Sequence, residues 1–280
     1  MKEERKEPIQ IPHIQTINDH ISYLTPTEHP LSANVVIIEG DAFFWVYDVG
    51  NHPAVSEILQ KKSEQTGKEI RVILSHFHPD HIGNLSEISC EAVYQGKNTF
   101  RYTKTGTVIE EDTWFQDGDV RLHLFPIPSS HAKGSLALEV DETWCFLGDA
   151  AYATQKNGQT IYNAERLLAE IRVLKNVRAP YFLLSHSEPF QQNKEDVLEW
   201  MEAIYEKRKR DESYIKTPPA RMTGSPSRLN QLCHFGNSLS FTGTDSRSIF
   251  DQYEPISELV KYSKLPVEDF SFPFLTPLQT

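Results

Sequence analysis

The sequence has no long apolar run, few cysteines and no excess of positive charge. No run approaches the roughly 18 consecutive apolar residues that cross a bilayer, so a membrane-spanning protein is not expected. The three cysteines, Cys90, Cys145 and Cys233, are widely spaced and form no CxxC pair, which argues against a disulfide framework and a cysteine-based zinc site. A net charge of −11 argues against a nucleic-acid-binding surface.

The N-terminal segment MKEERKEPIQ also lacks the apolar stretch of a secretory signal. The sequence therefore predicts a cytoplasmic protein whose partner is a small molecule, with no nucleic-acid or membrane partner. With 280 residues, of which 39% are hydrophobic, the chain can bury the core of one large domain with an appendage.

Strand and helix patterns predict a mixed α/β domain in the middle of the chain. Two β-rich runs, Val35–Glu39 and Phe43–Tyr47, flank a Gly-Asp turn and predict a β-hairpin. A helix is expected to begin at Pro53 and to end before Gly67, since proline suits the first turn and glycine the C-terminal cap. Further strands are predicted at 71–74, 120–127, 135–140, 144–147 and 181–184, and further helices at 163–177 and 194–210.

Composition divides the chain into three parts. Residues 1–13 are expected to be a flexible N-terminus, and residues 14–215 to form the folded domain. After Ile215 the sequence becomes rich in proline, serine and glycine, as in TPPARMTGSPSRLNQ, so residues 216–280 are predicted to form an irregular C-terminal extension. This extension is expected either to cap the active site or to lie in a homodimer interface, and the sequence does not choose between them.

The stretch SHFHPDHIGN, directly after the apolar run RVIL, places three histidines and an aspartate within six residues. In an extended loop His76 and His78 alternate and can point the same way, towards one metal ion. Asp80 and His81 come next and can point towards a second ion. Imidazole and carboxylate are the ligands that zinc and related divalent ions prefer, so this loop predicts a metal site.

Three further candidate ligands each follow a predicted strand. His131 comes after FPIPSS, Asp149 after WCFLG and His186 after YFLLS. Each would be unremarkable alone, but a strand followed by a ligand recurs in order along the chain. The remaining histidines fit no such position and are not expected to bind metal: His13, His20, His29, His52, His123 and His234.

These motifs, together with YDVG, resemble those of the metallo-β-lactamase-fold superfamily of hydrolases over residues 34 to about 190. The resemblance implies a four-layer αββα sandwich with its catalytic site at the edge where strand-end loops meet. It also implies two divalent ions, zinc or else manganese or iron. Their ligands would be His76, His78 and His131 for the first ion and Asp80, His81 and His186 for the second, with Asp149 bridging them and Asp48 orienting ligands from behind.

One departure from the superfamily's pattern bears on the substrate. The third motif reads SSHAKGS, so Lys133 stands where a proline is common. A lysine there adds a positive charge beside the pocket, and we therefore expect Lys133 to contribute to the binding of an anionic substrate. The last motif also lacks the usual glycine next to its histidine, His186.

The resemblance implies hydrolysis by a hydroxide that bridges the two ions, with Asp80 as ligand and proton shuttle. Tyr152, three residues after Asp149, is similar in position to a tyrosine of N-acyl-homoserine lactonases and is predicted to stabilise the developing oxyanion. This favours an ester, lactone or thioester substrate. The alternatives are a glyoxalase II-like thioesterase, a phosphodiesterase, an iron-dependent oxidoreductase similar to persulfide dioxygenases, and a non-catalytic scaffold.

Overall fold

The computed structural model describes residues 10–156 and 158–217. The predictions for residues 1–9 and 218–280, which include most of the C-terminal extension and its role, lie outside the described residues. Among the described residues, no helix is both long enough and apolar enough to span a membrane.

The described residues form eighteen strands and five α-helices. The strands are β1 Ile14–Thr16, β2 Ile21–Leu24, β3 Thr27–Glu28, β4 Leu31–Ser32, β5 Val35–Glu39, β6 Phe43–Tyr47, β7 Glu69–Leu74, β8 Ala92–Gln95, β9 Thr107–Val108, β10 Thr113–Asp117, β11 Val120–Ile127, β12 Ser135–Val140, β13 Trp144–Gly148, β14 Thr154–Lys156, β15 Gln159–Asn163, β16 Tyr181–Leu184, β17 Gln191–Asn193 and β18 Tyr214–Thr217. The helices are α1 Pro53–Thr66, α2 Pro79–Ile82, α3 Lys97–Thr103, α4 Ala164–Asn176 and α5 Lys194–Tyr205.

Two large sheets face each other between helices. The first sheet has the order β1-β2-β5-β6-β7-β8-β9, and the second has the order β10-β11-β12-β13-β16-β17. Between them lies a core to which Val36, Ile38 and Trp45 contribute from the first sheet, and Leu124 and Phe146 from the second. Because side chains alternate along a strand, the neighbouring residues of β5 face the opposite way.

A second core on the outer face of the first sheet includes Val35 and Ile37 of β5 and Val55 and Leu59 of α1. A third core joins the outer face of the second sheet to α4 and α5, through residues such as Leu147 and Leu167. The layers therefore run helix, sheet, sheet, helix. This is the αββα sandwich that the resemblance implied, and the prediction of fold class is confirmed.

Short local sequence patterns were enough to predict the hairpin and the ends of the first long helix. The hairpin pairs β5 with β6 antiparallel, and α1 begins at Pro53 and ends at Gly67, whose φ of 72° is the left-handed conformation that glycine adopts without strain. His52 is the N-cap of α1, since its Nδ1 accepts a hydrogen bond from Ala54 N at 3.1 Å.

The structure corrects three other elements. Helix α5 ends at Tyr205, short of the predicted residue 210, because the following residues are charged and exposed and bury no apolar face. The metal-motif loop contains the helical turn α2, which was predicted as extended. Ile215 does not end the folded part of the chain, since β18 continues to Thr217 and pairs with β15.

The topology brings five strand ends to one edge. Strand β6 runs parallel to β7 in the first sheet, and β11, β13 and β16 run in one direction in the second. The residues that follow these strands are Asp48 after β6, the metal motif after β7, His131 after β11, Asp149 after β13 and His186 after β16. A hydrogen bond from Leu136 N to Ser75 O, 2.8 Å long, joins the two sheets at this edge.

Candidate metal centre

Three histidine side chains converge in the first ligand group. His78 Nδ1 lies 2.9 Å from His76 Nε2 and 2.9 Å from His131 Nε2. His76 is buried, and the other two rings are partly buried. The alternation of His76 and His78 expected from an extended loop is what places these two nitrogens together.

Hydrogen bonds on the far side of the His76 and His131 rings set which nitrogen carries the proton. His131 Nδ1 lies 3.1 Å from Ala153 O, and a carbonyl only accepts, so this nitrogen donates and Nε2 keeps its lone pair. Ser75 Oγ donates to Asp48 Oδ2 at 2.7 Å and so accepts from His76 Nδ1 at 3.0 Å. Both Nε2 lone pairs therefore point into the group, the arrangement that metal-binding histidines require.

Two aspartates and two histidines form the second ligand group. One ligand atom from each of Asp80, His81, Asp149 and His186 lies within 4.8 Å of all the others. His186 Nε2 is 2.9 Å from Asp80 Oδ2, and His81 Nε2 is 3.5 Å from oxygens of both Asp80 and Asp149. The helical turn α2 presents Asp80 and His81 to this group, while His76 and His78 lie before it.

Asp48 lies behind the second group, where the resemblance placed it. Its Oδ2 is 2.8 Å from His81 Nδ1, and its Oδ1 accepts from Ser75 N at 2.8 Å. Asp48 thus holds the His81 ring with Nε2 directed towards the other ligand atoms. Its φ of 60° and the φ of 61° at His186 are unusual for residues with a side chain, and both occur where a strand turns into the site.

Asp149 lies between the two groups. Its Oδ2 is 3.3 Å from His131 Nε2 in the first group and 3.5 Å from His81 Nε2 in the second. A carboxylate in this position can contact an ion in either group, which is the bridging position that the resemblance implied.

The donor set fits metal ions. His81 Nε2 and Asp149 Oδ1 are fully buried polar atoms without a hydrogen-bond partner, an arrangement that costs free energy unless something binds them. In the first group, the Nε2 lone pairs of His76 and His131 both face Nδ1 of His78. That nitrogen carries at most one proton, so at most one of the two contacts can be a hydrogen bond. Histidine nitrogens and carboxylate oxygens in this arrangement suit zinc and related divalent ions.

Electrostatics distinguish the two groups. Burial, reinforced by the neighbouring histidines, holds the pKa of His76 well below its usual range and lowers the pKa of His78 to about 3. Burial also opposes a charge on His81, but Asp149, Asp48 and Asp80 outweigh it and raise the pKa of His81 well above its usual range. In the first group the imidazoles of His76 and His78 are therefore neutral, whereas the second group is rich in carboxylates.

The position of the Tyr152 hydroxyl does not match the catalytic role predicted for it. Its side chain is only 2% exposed, and its hydroxyl donates a hydrogen bond to Ser185 O at 2.8 Å. A hydroxyl proton held by a buried carbonyl is not directed at a substrate, so this contact argues against the oxyanion role. Tyr152 instead ties the loop that carries Asp149 to the loop that carries His186.

Lys133 is exposed on the loop that follows His131, and its predicted role in substrate binding remains a prediction. The site also uses residues that sequence reasoning did not single out. Asn34 Oδ1 accepts a hydrogen bond from His186 N at 2.9 Å, and Ser75 connects Asp48 to His76. Ser75 could have been suspected, because it directly precedes the metal motif, but nothing near Asn34 signals its contact 152 residues away.

The other histidines lie elsewhere. Among the described residues, neither ligand group includes His13, His20, His29, His52 or His123. His123 stacks on Trp114, with ring centroids 3.9 Å apart, and His52 caps α1. His234 lies outside the described residues.

Comparison with protein-family models supports the resemblance to the metallo-β-lactamase-fold superfamily. Residues 30–90, which include the metal motif, match the family model of the metallo-beta-lactamase superfamily, so the resemblance read from the motifs is confirmed. No curated protein matches the chain.

The solved structures that superpose on this chain include a lactamase, a sulfatase and a flavo-di-iron protein. A metallo-beta-lactamase from Pontibacter korlensis superposes with a TM-score of 0.55 at 16% identity, covering 70% of this chain and 100% of that one. The sec-alkylsulfatase Pisa1 from Pseudomonas sp. gives 0.55 at 14% identity, covering 70% of this chain and 42% of that one. A histidine variant of a flavo-di-iron protein from Thermotoga maritima gives 0.53 at 12%, covering 72% and 64%. At these identities the likeness concerns the fold.

Proposed function

We propose that the protein is a dinuclear metal-dependent hydrolase that acts on an ester, lactone or thioester of a small molecule. The observation that carries this proposal is the position of Asp149, which belongs to the second ligand group and also lies 3.3 Å from His131 of the first, with its Oδ1 buried and without a hydrogen-bond partner. A single structural ion would need only one such group. Two groups that share a carboxylate are typical of sites that activate a water between two ions.

The residues of the two groups divide the work of holding the ions. His76, His78 and His131 would hold one, and Asp80, His81 and His186 the other, with Asp149 serving both. Bound there, zinc, manganese or iron would supply Lewis acidity, which lowers the pKa of water and polarises the bond to be cleaved. Zinc suits the nitrogen-rich set best, and the related ions remain alternatives.

Asp80 is the residue proposed to move a proton. Burial opposes its ionisation, but His81 and His186 outweigh this effect and hold the pKa of Asp80 below its usual range, so the carboxylate is ionised. Its side chain is 14% exposed, more than that of Asp149, and so it has the better access to a substrate. Asp80 can accept a proton from the attacking water at a carboxylate oxygen and pass it to the leaving group.

The choice of an acyl substrate rests on the similarity of Tyr152 in position to a tyrosine of N-acyl-homoserine lactonases. The position of Tyr152 favoured a lactone, and the hydrogen bond of its hydroxyl to Ser185 O weakens that support. Phosphodiester hydrolysis and thioester hydrolysis as in glyoxalase II use the same arrangement of ligands and are the alternatives. A persulfide dioxygenase-like activity would need one iron and would consume oxygen.

Metal analysis combined with a substrate panel tests the proposal. We expect about two equivalents of zinc, manganese or iron per chain, and hydrolysis of at least one ester, lactone or thioester that chelation abolishes and metal restores. The panel should also contain phosphodiesters and β-lactams, with oxygen uptake measured in parallel. A preparation that binds no metal when zinc is added, or that consumes oxygen without hydrolysing anything, would contradict the proposal.

A further inference from the structure

An aromatic pair lies beside the first ligand group. Phe77 stands in the sequence between the ligands His76 and His78, and its ring centroid is 5.0 Å from that of His78. Tyr102, at the end of α3, stacks on Phe77 with a centroid distance of 4.8 Å and an angle of only 8° between the rings. The two rings thus form a stack whose outer surface begins next to a metal-ligand side chain.

This surface is open to solvent. Tyr102 is 50% exposed, and Phe77 is partly buried. Stacked aromatic side chains usually bury their area in a core, and here a large part of that area faces outwards. The ligand groups themselves consist of imidazoles and carboxylates, so the pair adds an apolar wall to a polar site.

The position of the pair is fixed by two ligand-bearing loops. Phe77 belongs to the loop after β7, and Gly96, the N-cap of α3, packs against the backbone of Gly134, three residues after His131. A side chain at Gly96 would collide with Gly134 O, so the two segments need this close approach. Helix α3 therefore begins beside the loop that carries His131, and near its end Tyr102 stacks on the loop that carries His76 and His78.

We propose that Phe77 and Tyr102 form the binding surface for an apolar acyl or aryl group of the substrate. This inference rests on the proposed hydrolase function and names the substrate class of that site: an ester, lactone or thioester with a hydrocarbon chain or a ring. The cleavable bond would lie at the metal centre, and the apolar group would lie against the two rings. Tyr102 is then a specificity-determining residue rather than a catalytic one.

Hydrolysis of two esters that differ in chain length tests the surface. In the metal-loaded enzyme, Tyr102→Ala should raise KM for p-nitrophenyl octanoate about 10-fold while changing kcat/KM for p-nitrophenyl acetate less than about two-fold. Tyr102→Leu, which keeps an apolar side chain, should recover part of the loss. Trp114→Ala is the matched control, because Trp114 is also 52% exposed and stacked, but on His123, which lies in neither ligand group.

A binding measurement keeps this test independent of catalysis. Octanoate and acetate share a carboxylate and differ only in chain length, so the ratio of their affinities, measured by NMR titration, reports contact with the chain. We expect Tyr102→Ala to lower that ratio about 10-fold and Trp114→Ala to leave it unchanged. An unchanged ratio in Tyr102→Ala would overturn the inference even if the enzyme hydrolyses esters. If the wild-type protein hydrolyses no ester but the ratio falls as expected, the surface stands and the proposed function fails.

Discussion

The two ligand groups of the metal centre differ in charge although they lie side by side. The first consists of three histidines, of which His76 and His78 are kept neutral by burial and by neighbouring histidines. The second contains two aspartates and has the carboxylate of Asp48 directly behind it. One group thus offers lone pairs alone, and the other offers lone pairs and negative charge.

This difference indicates how the pair of ions would be held. A divalent cation gains Coulomb energy from the carboxylates of the second group, whereas in the first group its only carboxylate is the shared Asp149. We therefore expect the second group to bind its ion more tightly, and the first to depend on Asp149 for charge. Each group can be weakened separately to test this.

Replacing the shared carboxylate should have the largest effect. Asp149→Asn removes the one negative charge that both groups share and leaves the second group with Asp80 as its only aspartate, and its amide presents only one oxygen to ligate. We expect the metal content to fall from about two equivalents to one or fewer, and kcat/KM to fall on the order of 1000-fold. Elemental analysis and ester hydrolysis measure the two effects.

The control for this change is Asp112→Asn, since the Asp112 side chain is 69% exposed and lies in neither ligand group. It should retain full metal content and activity. A fully active Asp149→Asn with two ions would show that the bridging position is not used.

Replacing one histidine in each group tests whether the two groups differ in their affinity for zinc. His78→Ala leaves the first group with two histidines and the shared aspartate, whereas His186→Ala leaves the second with three ligands, two of them carboxylates. We expect the affinity for one zinc to fall at least about 100-fold in His78→Ala, and by a smaller factor in His186→Ala. Competition with a zinc chelator measures both; equal losses would contradict the charge argument.

Glu170 shows what a buried carboxylate costs when it has no histidine beside it. It lies fully buried on α4, neither oxygen has a hydrogen-bond partner, and burial raises its pKa well above the usual range. Above about pH 4.5 the unfolded chain releases the Glu170 proton, whereas the folded protein keeps it. The free energy of unfolding therefore falls as the pH rises from about 4.5 towards the raised pKa.

Glu170→Leu should increase the free energy of unfolding by roughly 2 kcal/mol at neutral pH and flatten this decline with pH. Urea denaturation at pH 5 and pH 8 measures both effects. The control is Glu165→Leu, because Glu165 is exposed on the same helix and should change stability little. A less stable Glu170→Leu protein would show that the carboxyl group has a role that the described contacts do not reveal.

The sequence predicted which residues converge better than it predicted their surroundings. Alternating histidines after a buried strand, and an acidic or histidine residue after three later strands, are local patterns, so the positions that form the two groups could be read in advance. The partner of a hydroxyl cannot be read in this way, because it depends on how two distant loops meet. The hydrogen bond between Tyr152 and Ser185 joins residues 33 positions apart, and the aromatic pair needs α3, a short helix that sequence periodicity did not indicate.

The smallest effect is expected at Tyr152, and it acts through the position of His186 in the second group. Tyr152→Phe leaves Ser185 O without the hydrogen bond that holds the loop before His186, which should cost about 1 kcal/mol of stability and weaken one zinc up to about 10-fold. With zinc in excess, kcat should stay within a few-fold of wild type. The control is Tyr162→Phe, since the Tyr162 hydroxyl donates to Ala151 O at 3.4 Å, outside both groups. If instead Tyr152→Phe kept both ions bound and lost kcat 100-fold or more, the hydroxyl would act on the substrate after all, and the second group would owe its geometry to Asp48 and Asn34 rather than to this tyrosine.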